Sequence, residues 1–124
     1  MTVFWFRRDL RFEDNVGLFH ALNSGEEVLP IFIFDDAILS QLQKDDARVT
    51  FIHQQLEKLQ LELQKIGKSL AVFHGKPLDV YRKLISENNI TCVYTNRDYE
   101  PYARKRDLEL FHLFKEHAIE FKTS

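Results

Sequence analysis

Five apolar runs alternate with helical periodicities along this chain. Thr2–Phe6, Val28–Phe34, Ser69–His74, Thr91–Thr95 and Ile119–Lys122 read as strands. They are continuous apolar segments rather than alternating ones, as expected where helices cover both faces of a parallel sheet. Between them, apolar residues recur every three or four positions, the period of a helix resting on a core. The first helix spans Asn15 to Asn23 and stops at Ser24-Gly25, a glycine suited to the left-handed C′ position. The second runs from Asp46 to Ile66, with Val49, Ile52, Leu56, Leu59, Leu63 and Ile66 as its apolar stripe and Gly67 as its stop. A stripe of this kind could also serve a coiled coil, but strand signals on both flanks favour one helix packed on a sheet. The third helix starts at Pro77, with proline at the first helical position, and runs to Asn88; the fourth runs from Pro101 to His117.

Strict alternation of strand and helix predicts an α/β fold with right-handed crossovers. The simplest arrangement is a Rossmann-like, five-stranded parallel sheet of order 3-2-1-4-5 with helices on both faces. Residues 1–124 form one domain without an internal repeat or a linker. The end at Ser124, just past the fifth strand and without a closing helix, leads us to expect a domain of a longer protein.

Composition narrows the class. At 124 residues the chain is long enough for one proper core, and 11 phenylalanines point to aromatic packing within it. A formal net charge of −2 and a pI near 6.2 argue against the domain itself being a nucleic-acid clamp, although a local basic patch stays open. The lone cysteine, Cys92, lies in the apolar run Thr91–Tyr94 and reads as a buried strand thiol. With no disulfide framework, no apolar leader before the charges at Arg7, and no membrane-length run, the expectation is a soluble, cytoplasmic protein.

Charge changes the picture most at the end of the first strand. Arg7-Arg8-Asp9-Leu10-Arg11-Phe12-Glu13-Asp14 packs three arginines and three acids into eight residues. In an open parallel sheet, ligands bind at the carboxyl ends of the strands, where the winding direction reverses. For the order 3-2-1-4-5 that switch point lies between strands 1 and 4. Its loops are Arg7–Asp14 and Asn96–Glu100, with Phe34-Asp35-Asp36 at the tip of strand 2 alongside. Carboxylate, amide and guanidinium groups above aromatic rings suit a planar polar ligand. The plainer alternative is that pairs such as Arg8–Asp9 or Arg11–Asp14 bridge one another to hold the loop.

Several chemistries are set aside. No G-x-G-x-x-G follows strand 1, and no P-loop is present. His20, His53, His74, His112 and His117 lack metal-ligand spacing and read as surface or edge histidines. No serine or cysteine has a neighbouring base that would make it a nucleophile, so no catalytic residue is assigned.

Two segments carry a resemblance. Val3-Phe4-Trp5-Phe6-Arg7-Arg8-Asp9-Leu10-Arg11 followed by Asp14-Asn15, and Tyr94-Thr95-Asn96-Arg97-Asp98-Tyr99-Glu100-Pro101-Tyr102-Ala103-Arg104-Lys105-Arg106-Asp107, resemble the signatures of the DNA photolyase and cryptochrome family. The similarity covers the whole chain, but only the family's N-terminal domain. It implies an α/β domain that holds a light-harvesting antenna chromophore, joined to a helical C-terminal domain that binds FAD. The whole protein would flip a pyrimidine dimer out of UV-damaged DNA and split it with blue light. The likeness further implies a monomer, no membrane partner, and a site drawn from Arg11, Phe34, Asp36, Arg48, Asp98 and Glu100. Folate-binding members resemble one another in an Asn–Glu pair after strand 4. Here Tyr102 and Ala103 stand there, which favours an 8-hydroxy-deazaflavin or FMN over a methenyl-folate.

Other readings compete with this one. A cryptochrome photoreceptor domain would share these motifs. A stand-alone nucleotide-binding module of the same topology would need a glycine-rich phosphate loop, whereas Gly17, Gly25, Gly67 and Gly75 are scattered. A docking platform without a chromophore would leave an exposed apolar patch on the domain.

Overall fold

The computed structural model describes residues 1–7, 10–35, 47–97 and 101–124, with residues 47, 48 and 101–103 described by their backbone alone. Five strands, β1 (Thr2–Phe6), β2 (Val28–Phe34), β3 (Ala71–His74), β4 (Cys92–Thr95) and β5 (Glu120–Thr123), form one sheet in the order β3-β2-β1-β4-β5. Every pairing is parallel. Among the described residues, four helices connect them: α1 (Val16–Leu22), α2 (Ala47–Gln64), α3 (Pro77–Glu87) and α4 (Pro101–Glu116). The fold is therefore the Rossmann-like arrangement that the sequence pattern predicts.

The period-2 geometry of the strands divides their apolar residues between two cores. Phe4, Phe6, Phe32 and Phe34 point to one face, where Leu18 and Ala21 of α1 and Leu56, Leu59 and Leu63 of α2 cover them. Val3, Trp5, Ile31 and Ile33 point to the other, against Val80, Tyr81 and Leu84 of α3 and Leu110, Leu113 and Phe114 of α4. Both cores are aromatic. Edge-on pairs join Phe4 to Phe6 at 4.7 Å, Phe32 to Phe34 at 4.9 Å and Tyr81 to Phe114 at 4.9 Å. Pro30 is tolerated in the central strand β2 because it precedes the β2–β3 ladder, which begins at Ile31 opposite Ala71.

Boundaries differ in places. Leu56, Leu59 and Leu63 are buried as the stripe requires, but Ile66 lies beyond the end of α2 and is 43% exposed. A Schellman turn displaces it: Lys68 N–H donates to the Leu63 carbonyl at 3.0 Å and Gly67 N–H to that of Gln64 at 3.1 Å, with Gly67 at φ +76°. After α1, Gly25 is left-handed as expected, at φ +82°, but with Asn23 as the C-cap it stands at C″ rather than C′. Asp46, the expected start of the second helix, lies outside the described residues. Cys92 is buried in β4, and burial pushes its thiol above the ordinary range. All five histidines are exposed. No helix among the described residues is long and apolar enough to cross a membrane.

Candidate functional site at the carboxyl edge of the sheet

β1 and β4 are neighbours, so the chain segments leaving them diverge into one crevice. At its base the buried Thr95 hydroxyl donates to the Trp5 carbonyl at 2.8 Å. Above it, Asn15 caps α1: its extended backbone lets Oδ1 accept from Leu18 N–H at 3.0 Å. Asp14 enters that cap with φ at 53°, a left-handed conformation that aspartate accepts more readily than most residues.

Asn96, the first residue after β4, joins the two segments. Its Nδ2 donates to Asn15 Oδ1 at 2.8 Å, and its Oδ1 accepts from Gly17 N–H at 3.0 Å. Asn15 Nδ2 in turn donates to the Arg11 carbonyl at 2.9 Å. Gly17 is required for so close an approach. A Cβ there would stand 2.7 Å from Asn96 Oδ1 and 3.0 Å from Phe4 Cε2.

The arginines divide between the two faces. Arg7 is buried and pairs with Asp107 of α4 through both nitrogens, at 2.8 and 2.9 Å. Arg106 pairs with the buried Asp35 at 3.2 Å. The two guanidiniums flank Trp5, at 4.4 Å for Arg7 and 5.0 Å for Arg106. These pairs span 100 and 71 positions, so they hold the helix to the sheet rather than bracing one loop. Tyr81 meets Trp5 edge-on at 5.6 Å, and its enclosed hydroxyl has no hydrogen-bond partner among the described residues. Burial raises its pKa well above the ordinary tyrosine value and keeps the phenol neutral.

On the α1/α2 face, Arg11 is exposed between Leu10 and Phe12, which pack on the same core as Phe34. Phe34 stacks on His74 at 4.8 Å and lies tilted against His53 at 5.3 Å. The three rings line an open groove of about 560 Å³ between α2 and β3, together with Leu56, Gln60 and Leu70. Gln60 fastens its rim by accepting from Leu70 N–H at 2.7 Å. The segment that carries Arg11 thus lies on the same side of the sheet as Phe34. Arg48 lies in the first turn of α2, without a described side chain, and Asp36, Asp98 and Glu100 lie outside the described residues, as do Arg8 and Asp9. Asn15, Asn96, Asp35, Arg106 and Asp107 were absent from the expected set. The Asp-Asn step before a helical run is a capping signal that marks Asn15, whereas nothing local marks its partner Asn96.

Fold and crevice together define a doubly wound α/β domain with its most polar loops joined at the switch point. The DNA photolyase family model matches residues 2–124, and the chain belongs to that family. A deoxyribodipyrimidine photo-lyase from Synechococcus is 36% identical over 105 residues, 85% of this chain and 22% of that protein. Cryptochrome-2 of Gallus gallus is 34% identical over 96% of this chain and 20% of its own length. The chain therefore spans about a fifth of these relatives. Among solved structures, a Sulfolobus tokodaii photolyase with two FAD molecules, described as implying a novel light-harvesting cofactor, superposes with a TM-score of 0.84. It is 35% identical over 98% of this chain and 28% of that one. A Synechocystis cryptochrome superposes with a TM-score of 0.90 at 26% identity, over 99% and 26% of the two chains.

Proposed function

We propose that this is the antenna-chromophore-binding domain of a deoxyribodipyrimidine photolyase, gathering light for FAD-dependent repair of cyclobutane pyrimidine dimers. The observation that carries the reading is the meeting of both family motifs in one crevice, with the segment that carries Arg11 packed, through Leu10 and Phe12, on the same core as Phe34. A flat aromatic ring bearing an acidic group suits that combination of guanidinium and aromatic surface. The Sulfolobus relative, solved with a second FAD and an implied light-harvesting cofactor, gives the same reading a precedent. Arg11 and Phe34 would hold the chromophore, with Asp36, Arg48, Asp98 and Glu100 completing the site by resemblance. An 8-hydroxy-deazaflavin or FMN is favoured, because Tyr102 and Ala103 replace the Asn–Glu pair of folate-binding members. Such a chromophore, when bound, absorbs near-ultraviolet and blue light and passes the excitation on. The partners in this reading are a helical FAD-binding domain and, through it, UV-damaged DNA.

The test is a fluorescence titration of the chain with FMN, 8-hydroxy-deazaflavin and a methenyl-folate. Trp5, the one tryptophan, serves as an internal energy donor. Binding of either flavin-type ring is expected. Arg11→Ala and Asp98→Ala should each weaken it about tenfold, the equivalent of one charge-assisted hydrogen bond, with the fold retained. No saturable binding, or affinity unchanged from the parent in both variants, refutes the assignment. A cryptochrome photoreceptor is the second reading, favoured by the 34% identity to Cryptochrome-2 over 96% of the chain. Dimer repair in blue light by the whole protein would separate the two.

A further inference from the structure

We propose that the side-chain amides of Asn15 and Asn96 form a latch that positions both walls of the crevice together. The inference rests on the crevice being the chromophore site. The hydrogen bonds allow one orientation of each amide. Gly17 N–H and Leu18 N–H are donors, so Oδ1 of Asn96 faces the first and Oδ1 of Asn15 the second. The two Nδ2 groups are then directed at Asn15 Oδ1 and at the Arg11 carbonyl.

The chain of contacts runs from the end of β4 through both amides to the backbone of Arg11. Asn15 is 5% exposed and Asn96 partly buried, so water competes poorly for these bonds. From Asn96 the chain continues to Arg97, whose N–H donates to the Ser124 carbonyl at 2.7 Å beside β5. The latch therefore fixes where residues 10–12 leave the sheet relative to residues 96–97, 81 positions away from Asn15. Neither asparagine needs to touch a ligand; both are positioning residues.

Three variants of the chain separate this role from simple stability. Asn96→Ala removes the latch. Asn15→Asp keeps both acceptor roles, towards Leu18 N–H and Asn96 Nδ2, but turns the donor to Arg11 into a carboxylate oxygen facing that carbonyl. Asn96→Asp keeps the acceptor for Gly17 N–H but sets a carboxylate against Asn15 Oδ1. Amide hydrogen exchange by NMR, thermal unfolding and FMN titration are measured on each. In Asn96→Ala, exchange should rise about tenfold at residues 10–12 as well as at 17–18, with β2 and β3 unchanged. FMN affinity should fall about tenfold, and Asn96→Asp should not restore it. Asn15→Asp should loosen residues 10–12 alone, at nearly unchanged melting temperature, and still weaken FMN.

Exchange that rises only around residue 96 in Asn96→Ala overturns the latch. So does loosening of both loops with FMN affinity intact. If the unaltered chain fails to bind FMN yet its loops loosen together in Asn96→Ala, the chromophore assignment falls for that ligand and the coupling of the two walls stands.

Discussion

Replacing Gly17 with alanine sets helix propensity against packing in one residue. Propensity alone favours the change: alanine is about 1 kcal/mol better than glycine inside a helix, and somewhat less in the first turn. Packing opposes it, because the new Cβ would lie 2.7 Å from Asn96 Oδ1 and 3.0 Å from Phe4 Cε2. Phe4 is fully buried in a close-packed core and has no room to withdraw, so Asn96 must move. Its movement breaks the bonds to Gly17 N–H and to Asn15, each worth about 0.5–1.5 kcal/mol net. Subtracting the propensity gain from the two bonds leaves a destabilisation of about 0.5–2 kcal/mol, or roughly 2–10 °C in melting temperature for a domain of this size. Urea unfolding monitored by Trp5 fluorescence measures the first, and a thermal scan the second. The cost should shrink in an Asn96→Ala background, since part of the clash and both bonds are then already gone. A Gly17→Ala variant at least as stable as the parent would show that Asn96 does not sit over α1, and the latch argument would fail with it.

Leu59→Ala should cost about 2–5 kcal/mol, since Leu59 is 1% exposed in the α1/α2 core; an unmoved melting temperature would contradict that packing. Asp107→Ala should cost about 3–5 kcal/mol in chemical unfolding by stranding the buried Arg7 guanidinium, whereas a double change of Arg7 and Asp107 to apolar residues of similar size should recover much of it. At the opposite edge, Glu26 accepts from the hydroxyls of Thr2 at 2.6 Å and Thr91 at 2.8 Å, and these bonds lower its pKa below the ordinary 4.5. A depressed carboxylate stabilises the fold above its unfolded-state pKa and loses that contribution as pH falls through the lower folded value. Stability should therefore decline below about pH 4.5 less steeply in Glu26→Gln than in the parent, and parallel acid limbs would refute the assignment.

The strands were legible as continuous apolar runs, and the helices as apolar stripes recurring every three or four residues. Where a position belongs to a core, as Leu56, Leu59 and Leu63 do, period and burial agree. Ile66 continues the same spacing but falls after the helix has closed its Schellman turn, so its side chain points to water. Glycine punctuation located that turn, while the stripe carried on past it. Boundaries of this kind depend on hydrogen bonds at chain ends, which periodicity does not register.

The crevice was legible only as a place. A cluster of three arginines and three acids after β1 invites the reading that neighbours neutralise neighbours, and local pairs such as Arg8–Asp9 are the natural guess. Arg8 and Asp9 lie outside the described residues; Arg7 reaches Asp107, and Arg106 reaches Asp35, because the fold brings the first turns of α4 over the ends of β1 and β2. Those long-range pairs place two guanidiniums around Trp5 on the α3/α4 face, while Arg11 is exposed between Leu10 and Phe12, which pack on the α1/α2 core. The same charge run thus supplies structural cement on one side of the sheet and a candidate ligand contact on the other. Residue type cannot separate these roles; the side of the strand from which each residue leaves can. Asn96 makes the point most sharply. It is an ordinary loop residue by composition, yet it fixes the geometry of a loop 81 positions away from it, and it does so only because β4 lies next to β1.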